Sequence, residues 1–510
     1  MSNLLPDEFN PWRRNSRWDL ANQLIKEFEG SVLKREPRLF YHISSGLMTS
    51  GSYGLITIRG PRRVGKTTMV MLLIRKLLLM GISPNNVFYI SLDHKDSSGR
   101  PISPLKTISD VAGSSNQEKY LFMDEVSMYQ NWATELKNAY DLGLIDSGKL
   151  KIVATGSHSM DLAESASKLR GRQGLLAERF NVGGNLLQPP LRFPEIVEGL
   201  QPQIEAYLSE KKFRKPGRRF QLLQSLGQGI IPEDLQFIYD NYLQLLQVTF
   251  EDYLIHGGYP KAVDEFYKSS PHKVMPQFYF NVAELLISDC ATAGLDPENL
   301  TRILHFLLQP SRLSNQMSME NGPIIGRDDE GRSRGSFHIK EYLDYLKTTW
   351  SFFFPYPEGD ECTPNYQGNP KVYVLDPFLC HALTSKINNI PNPFEKARQS
   401  AQNPVYRGQL VESVVASHLL LTQQLFVHIP AVDYERVLMF ERTNTGEVDF
   451  VVCLMKDGAR HRFTIESKYS ESPAHMGKPT EDIKIILTKN KLEQREGKVL
   501  IPASLFLLLL

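Results

Sequence analysis

The sequence predicts an α/β protein with a parallel, three-layer P-loop sheet, followed by helical regions and a second α/β domain. Three observations lead to this fold class. A glycine-rich loop lies between an apolar strand and a helix, further apolar strands end in polar residues, and strands with alternating charges come near the end of the chain. Strands that alternate with helical patterns are typical of parallel sheets. The glycine-rich loop therefore organises the first part of the chain.

Length and composition fit a globular protein of about three domains. The chain has 510 residues, and its 58 Lys and Arg against 57 Asp and Glu give a formal net charge of +1, so a nucleic-acid surface would have to be a local patch. The start of the chain lacks the features of a signal peptide. The terminal apolar run 505–510 is too short to span a bilayer and is predicted to be a buried strand. We expect a cytoplasmic protein without a membrane partner.

The four cysteines are Cys290, Cys362, Cys380 and Cys453, and they include no C-x-x-C pair. This spacing argues against a structural zinc site and against a disulfide framework. A reducing compartment is the expectation.

Aromatic residues are prominent in an N-terminal extension, where Trp12 and Trp18 are two of the four tryptophans. The simplest interpretation is that they cover the edge of the following domain. Stacking on a nucleotide base and an oligomer contact are the alternatives.

The glycine-rich loop spans residues 60–68 and matches the pattern G-x-x-x-x-G-K-[ST]. Backbone N–H groups of such a loop surround a phosphate chain, and Gly60 and Gly65 let the backbone approach it closely. Lys66 reaches the outer phosphates, and the hydroxyl of Thr67 ligates Mg²⁺. The predicted nucleotide-binding residues are Gly60, Pro61, Arg62, Arg63, Val64, Gly65, Lys66, Thr67 and Thr68.

A second apolar run ends in two carboxylates, Asp124 and Glu125. Downstream of a phosphate loop this is the Walker B pattern, in which Asp124 holds Mg²⁺ opposite Thr67. Glu125 is placed to polarise a water for attack on the γ-phosphate. The predicted catalytic residues of this site are therefore Lys66 and Glu125, and the predicted cofactors are ATP and Mg²⁺.

Two further segments carry candidates for phosphate contact. Thr155 and Ser157 follow another predicted strand, where a hydroxyl bonds either the γ-phosphate or the attacking water, the role called sensor 1; capping of the next helix is the alternative. In the basic loop 168–172, Arg172, ahead of Arg170, is the candidate for a phosphate of the same or a neighbouring subunit. A solvated basic loop is the alternative there.

The last third of the chain carries a second group of polar residues. Glu412 lies on a predicted helix, Asp449 lies on a predicted strand, and Glu466 and Lys468 share one face of the next strand. This order is the layout of the PD-(D/E)XK nuclease-like fold. Glu412, Asp449 and Glu466 are the predicted ligands of a Mg²⁺ that activates water, and Lys468 is predicted to stabilise the developing charge. Asp449, Glu466 and Lys468 are the predicted catalytic residues, and surface salt bridges are the alternative.

These segments together resemble the AAA+-type prokaryotic ATPases of the AAA_14 group, in which a DUF4143 region follows the ATPase core. The preamble resembles an archaeal branch of that group. The resemblance covers most of the chain and is carried by the motifs FNPW, GPRRVGKTT, YLFMDEV, KIVATGS, LRGR, PLRFPEI, DYLIHGGYP and KVYVLD.

The resemblance implies a homo-oligomeric ring, for which a hexamer is one candidate. It also implies a helical lid and a winged-helix-like region between the ATPase core and the nuclease-like domain. The predicted domains are an N-terminal extension (1–50), an AAA+ ATPase core (51–189), a helical lid (190–265), a helical and winged-helix-like region (266–375) and a nuclease-like domain (376–510).

The leading hypothesis is an ATP-hydrolysing protein that acts on branched or end-containing DNA and has a Mg²⁺-dependent nuclease domain. In a second hypothesis the ATPase is a slow switch, and the nuclease-like domain is an inactive platform that binds protein or nucleic acid. The third is a defence or signalling NTPase without a DNA partner.

Overall fold

The computed structural model divides the chain into two compact units, with the division between Pro189 and Pro190. Among the residues it describes, no helix is both long and apolar enough to cross a membrane. The structure describes residues 8–95, 99–114, 117–156, 169, 171–178, 184–309, 313–316, 337–426, 437–443, 446–469 and 484–510.

The first unit contains a five-stranded parallel sheet. Its strands are β1 (Gly54–Arg59), β2 (Val87–Ser91), β3 (Lys119–Asp124), β4 (Leu150–Thr155) and β5 (Asn185–Leu187). They lie in the order β2-β3-β4-β1-β5, with parallel pairing throughout. Every residue of β1 to β4 is buried, as expected for parallel strands covered on both faces. This sheet fits the predicted P-loop core.

Helices cover both faces of this sheet. Ile56 and Ile58 of β1 belong to a core cluster with helices near the N-terminus, whereas Leu55 belongs to a second cluster with later helices. Adjacent residues of a strand point to opposite faces, so the two clusters lie on opposite sides. The described helices are α1 (Gln23–Glu29), α2 (Arg38–Leu47), α3 (Lys66–Leu79), α4 (Pro104–Ala112), α5 (Trp132–Asp141), α6 (Leu144–Ser147) and α7 (Gly174–Glu178), with 3₁₀ turns at Pro11–Arg13, Trp18–Leu20, Pro84–Asn86 and Val126–Met128.

The N-terminal extension lines the edge strand β2. The indole Nε1 of Trp12 donates to the Val87 carbonyl at 3.2 Å. The Asn10 amide donates to the Tyr89 carbonyl at 3.1 Å and accepts from the Tyr89 N–H at 2.7 Å. An edge strand leaves such backbone groups unpaired, and the extension satisfies them. The interpretation of these aromatic residues as a cover for the sheet edge is confirmed, and Trp18 packs on Trp12 with ring centroids 5.0 Å apart.

The second unit begins with a helical region. Its helices are α8 (Phe193–Leu200), α9 (Pro202–Glu210), α10 (Pro216–Gly227), α11 (Glu233–His256), α12 (Pro260–Lys268), α13 (Pro276–Asp289), α14 (Pro297–Leu307) and α15 (Phe337–Thr348), with a 3₁₀ turn at Cys290–Ala293. A two-stranded antiparallel sheet follows, made of β6 (Phe352–Phe353) and β7 (Tyr373–Val374), with a 3₁₀ turn at Asp360–Cys362 between them. A winged-helix unit also consists of helices followed by a small sheet. The winged-helix arrangement of this region stays a prediction, and so do the finer domain boundaries.

Two motifs without an obvious chemical role, GGYP and KVYVLD, meet at the buried carboxylate of Asp376. Its oxygens accept from the Gly258 N–H at 2.7 Å and from the Phe378 N–H at 2.9 Å. Burial raises the pKa of Asp376 to about 7, although these N–H groups favour the charged form. A Cβ atom on Gly258 would lie 1.9 Å from the Leu191 carbonyl oxygen. Both motifs therefore have a structural role here, and glycine is needed for the close approach.

The C-terminal part of the second unit is a six-stranded mixed sheet with helices. Its strands are β8 (Leu438–Thr443), β9 (Gly446–Lys456), β10 (Ala459–Ser467), β11 (Ile485–Thr488), β12 (Glu493–Arg495) and β13 (Lys498–Pro502), in the order β12-β13-β11-β10-β9-β8. The helices are α16 (Pro377–Ile387), α17 (Pro393–Gln402), α18 (Pro404–Phe426) and α19 (Ala503–Leu507). The mixed sheet is present, and its nuclease-like nature stays a prediction.

The terminal apolar run is helical, so the predicted strand at 505–510 is wrong. Pro502 ends β13 and precedes α19, and the residues from Ala503 to Leu510 are all buried. A short run that is apolar at every position does not distinguish a buried strand from a buried helix.

One cysteine pair also corrects an expectation. Cys362 and Cys453 form a disulfide, with Cα atoms 6.2 Å apart and a sequence separation of 91, whereas Cys290 and Cys380 are buried free thiols. Cys362 and Cys453 belong to no short spacing pattern. The fold brings them together from distant parts of the chain. The expectation of no disulfide framework did not anticipate this single bridge.

Candidate functional site

The glycine-rich loop connects β1 to α3 at the carboxyl edge of the first sheet. Gly60 has φ +148°, and a Cβ atom there would lie 2.0 Å from the Gln188 carbonyl oxygen. Gly65, directly before α3, has φ +90°. Both values lie in the region that favours glycine, so the two predicted glycines are required by the backbone itself.

The Lys66 side chain folds back onto this loop. Its Nζ donates to the carbonyl oxygens of Gly60 and Pro61, each at 2.8 Å, and the residue is 7% exposed. Burial lowers the pKa of Lys66 to about 8, while the nearby Glu125 and Asp124 charges favour the ammonium form. An anion bound in the loop would stabilise the same charged form.

The Asp124 carboxylate ends β3 and is held by three donors. One oxygen accepts from the Thr155 hydroxyl and from the Glu125 N–H, the latter at 3.2 Å. The other accepts from the Tyr89 hydroxyl at 3.1 Å. Burial and the Asp124 charge raise the pKa of Tyr89, which keeps its hydroxyl protonated as a donor. Asp124 is therefore fixed in orientation before any cation arrives.

Glu125 has a left-handed backbone, with φ 50° and ψ 43°. This conformation is uncommon for a residue other than glycine and costs on the order of 1 kcal/mol. It turns the chain sharply at the end of β3, where a general base would be needed. Its role as the base stays a prediction.

The remaining predicted residues of the loop occupy its turn and the first turn of α3. Arg63 is exposed with φ 66°, Arg62 is half-buried, and Val64 is buried. Thr67 and Thr68 are half-buried in α3. Because parallel strands end at one edge, the structure brings the α3 residues to the same edge as the ends of β3 and β4.

Thr155 and Tyr89 show how the site differs from the prediction. Thr155 ends β4, and its hydroxyl contacts Asp124; its contact with a phosphate or water stays a prediction. Tyr89 was missed by the sequence analysis. Its local signal is a phenol hydroxyl in the middle of β2, the strand that pairs with the Walker B strand. Ser157 and Arg170 lie outside the described residues.

The structure does not bring Arg172 to the phosphate loop of its own chain. Its Nε donates to Asp141 at 2.7 Å, at the end of α5. The next residue, Gln173, accepts from the Leu55 N–H at 2.9 Å, where β1 begins. Arg172 is therefore near the edge opposite the loop, and a role at a neighbouring subunit's phosphate stays a prediction.

In the second unit, Lys371 lies among three carboxylates. Its Nζ is 2.6 Å from Glu447 Oε1, 3.2 Å from Asp449 Oδ1 and 3.3 Å from Glu412 Oε1. The Lys371 side chain is 2% exposed. Lys371 and Glu447 were not predicted as site residues. The available signals were the KVYVLD motif and the spacing of Glu447 and Asp449, which places them on one face of β9.

Further donors hold the carboxylates of this lysine–carboxylate cluster. Tyr373 donates its hydroxyl to Glu412 at 2.7 Å, and the Ser467 N–H donates to Asp449 Oδ2 at 2.9 Å. Burial raises the pKa of Glu412 to about 7; the Asp449 charge acts in the same direction, and Lys371 opposes both. Asp449 and Glu412 are thus brought together, with Lys371 between them.

The predicted Glu466 and Lys468 form a pair of their own. Lys468 Nζ lies 2.5 Å from Glu466 Oε1, and burial raises the pKa of Glu466. Among the described residues, the oxygens of Glu412, Asp449 and Glu466 do not all lie within 4.8 Å of one another. The metal role of these three carboxylates stays a prediction.

One other group of potential metal ligands occurs in the described part of the chain. Glu358, Cys362 and Cys453 have ligand atoms within 4.8 Å of one another. The two sulfurs are joined in the disulfide, and Glu358 pairs with Arg462 at 2.7 Å. These donors are committed to other bonds.

Residues 52–196 match the AAA_14 family, which is described as an AAA domain. We refer to residues 52–196 as the AAA domain. The match includes the glycine-rich loop, Asp124, Thr155 and the five strands of the first sheet. Residues 247–389 match DUF8612, a domain of unknown function, where the resemblance had led us to expect DUF4143. No curated protein matches the chain.

Several solved structures are similar to the chain. A Walker-type ATPase of Pyrococcus abyssi is 16% identical over 69% of this chain and 99% of its own, with a TM-score of 0.37. The Aeropyrum pernix ORC1 protein in complex with DNA is 12% identical over 71% and 92%, with a TM-score of 0.29. A Thermotoga maritima RuvB variant is 16% identical over 66% and 89%, with a TM-score of 0.28.

Within the AAA domain, one edge of the sheet holds a cationic side chain, a fixed carboxylate and a loop of backbone N–H groups. The cation is Lys66, and the carboxylate is Asp124. This arrangement is suited to an oligophosphate together with a divalent cation.

Proposed function

We propose that the AAA domain binds ATP with Mg²⁺ and hydrolyses it. The observation that carries this proposal is the meeting of Lys66 and Asp124 at one sheet edge, where the Asp124 charge favours the ammonium form of Lys66. Proteins promote phosphoryl transfer mainly by placing charged groups around the phosphates. Here Lys66 supplies the positive charge for the phosphates, and the buried Asp124 carboxylate supplies the negative charge for a cation.

The residues of the loop then have distinct roles. Backbone N–H groups from Arg62 to Thr68 bind the phosphates, and Lys66 leaves its two carbonyl partners to neutralise the outer phosphate oxygens. Glu125 accepts a proton from the attacking water. Thr67 and Asp124 would hold Mg²⁺, which withdraws charge from the phosphates when bound.

Two substitutions test this proposal. Lys66→Ala is expected to abolish ATP binding or turnover, measured with a fluorescent ATP analogue and by phosphate release. Glu125→Gln is expected to bind ATP but to hydrolyse it slowly. Wild-type turnover in Glu125→Gln would show that Glu125 is not the base.

We further propose that the nucleotide site is completed in a homo-oligomer. Arg172 supports this, because its side chain is 36% exposed and lies near the sheet edge opposite its own loop. Because Arg172 lies away from the loop of its own chain, we propose that it contacts a phosphate of the nucleotide bound by a neighbouring subunit. Sizing the protein with and without ATP tests the assembly, and loss of turnover in Arg172→Ala with ATP binding retained tests the residue.

For the second unit we propose DNA as the partner, branched or end-containing, with Mg²⁺-dependent cleavage and non-cleaving binding as competing functions. The order of Glu412, Asp449, Glu466 and Lys468 supports cleavage. The position of Lys371 inside the carboxylate group supports a binding platform. Cleavage of branched DNA in Mg²⁺ or Mn²⁺ that is lost in Asp449→Ala would establish the first function; no cleavage of any DNA form would exclude it.

Gel shifts at two salt concentrations test the DNA partner separately. Phosphate contacts predict binding that weakens steeply with salt. Absence of binding at low salt would favour a protein partner or a signalling NTPase.

A further inference from the structure

The lysine–carboxylate cluster contains a cation of its own. An ammonium group has three N–H donors and no acceptor. Lys371 Nζ has three carboxylate partners, Glu412, Glu447 and Asp449, at 2.6 to 3.3 Å. The donors of Lys371 are therefore matched in number by acceptors from α18 and β9.

The backbone around Lys371 fixes the position of this ammonium. Its N–H donates to the Pro355 carbonyl at 2.9 Å, and the residue forms an antiparallel bridge with Gln316. The Nζ atom also lies 5.4 Å from the centre of the Phe440 ring, a favourable position for a cation. A side chain that is 2% exposed and held at both ends has little freedom to leave.

The geometry around Lys371 suits an ammonium better than a small divalent ion. Magnesium requires oxygens at about 2.0–2.1 Å in a near-octahedral arrangement. Here the oxygens surround a nitrogen at hydrogen-bond distances, and other donors hold the same carboxylates. Tyr373 donates to the Glu412 oxygen that also contacts Lys371, whereas the second oxygens of Asp449 and Glu447 accept from the Ser467 N–H and the Gln316 amide. A divalent ion bound to Asp449 would also face the Lys371 charge at close range.

We propose that Lys371 occupies the cation position between Glu412, Glu447 and Asp449 and thereby excludes divalent metal ions from this cluster. This inference deepens the proposal of a non-cleaving platform and names the residue responsible. It assigns Lys371 as the residue that determines which cation the cluster holds. Lys468, which is 45% exposed and bonded to Glu466, has no such role.

The test is a Mn²⁺ titration of the full chain without nucleotide, followed by the electron paramagnetic resonance signal of free Mn²⁺. All proteins carry Asp124→Asn, so that the AAA domain does not contribute. We expect no saturable Mn²⁺ site in this parent protein. Lys371→Met is expected to gain a saturable Mn²⁺ site whose affinity is at least tenfold higher than any residual Mn²⁺ binding by the parent. The further change Asp449→Asn is expected to remove this site. Lys386→Met, the matched control, removes a lysine that pairs with Glu284 outside the cluster and is expected to behave as the parent.

Two results would overturn the proposal. One is a saturable Mn²⁺ site in the parent that disappears on Asp449→Asn. The other is a Lys371→Met protein with a cooperative thermal transition that gains no Mn²⁺ binding. If Lys371→Met does not fold, the parent titration with and without Asp449→Asn decides alone. DNA cleavage does not enter these readouts, so failure of this inference is separable from failure of the proposed DNA function.

Discussion

Substitution of Thr155 by Val distinguishes two roles for this residue at the AAA site. Valine keeps the shape of threonine but removes the hydroxyl that donates to the buried Asp124 carboxylate. Thr155 is 1% exposed and Asp124 is 3% exposed, so water does not readily replace the lost donor. A hydrogen bond to a charged group contributes about 1.5–3 kcal/mol, and about 1.4 kcal/mol corresponds to a tenfold change in an equilibrium constant.

If Thr155 orients Asp124, its loss weakens the predicted Mg²⁺ ligand. The Mg²⁺ concentration for half-maximal ATP turnover should then rise by about tenfold or more. Thr155→Ser retains the hydroxyl and should restore the wild-type value. Tyr89→Phe removes the donor to the other Asp124 oxygen and should shift the same quantity in the same direction.

The assay is steady-state phosphate release at saturating ATP across a range of Mg²⁺ concentrations. A Thr155→Val protein whose turnover falls at saturating Mg²⁺, with an unchanged half-maximal Mg²⁺ concentration, would refute this reasoning. That result would place the hydroxyl on the γ-phosphate or the attacking water instead.

Three further predictions follow from buried groups. Because Lys66 has a lowered pKa of about 8 without nucleotide, it is charged below that pH and neutral above it; ATP affinity should fall about tenfold from pH 7 to pH 9, and an unchanged affinity in analogue titrations would contradict this. Gly258→Ala forces a Cβ atom to 1.9 Å from the Leu191 carbonyl oxygen and should reduce the free energy of unfolding by about 1–3 kcal/mol in urea titrations, whereas the control Gly217→Ala has nothing within 4 Å and should not destabilise the protein. The Cys362–Cys453 disulfide predicts that denatured, unreduced protein titrates as two thiols, Cys290 and Cys380, and reduced protein as four; four thiols before reduction would exclude the disulfide.

The two glycines of the phosphate loop illustrate what a local pattern predicts well. Gly60 and Gly65 were predicted from spacing alone, and the structure gives each a positive φ that favours glycine. The position of Asp124 was also predicted from the local sequence, and the structure places it at the end of an apolar strand. These features depend on a few consecutive residues, so their chemistry is visible in the chain itself.

Long-range partners were not predictable in this way. Tyr89 and Thr155 reach Asp124 from two other strands, and the order of strands in the sheet decides which hydroxyls arrive. Cys362 and Cys453 pair across 91 residues without a spacing signal.

The sequence by itself determined the phosphate loop, the Walker B strand and the α/β class, because each follows from local spacing and periodicity. Only the tertiary structure placed Lys371 among Glu412, Glu447 and Asp449, since these residues come from three separate segments. It also placed Arg172 away from its own phosphate loop. The physical reason is that a buried charge is defined by the partners that surround it, and those partners are chosen by the packing of distant elements.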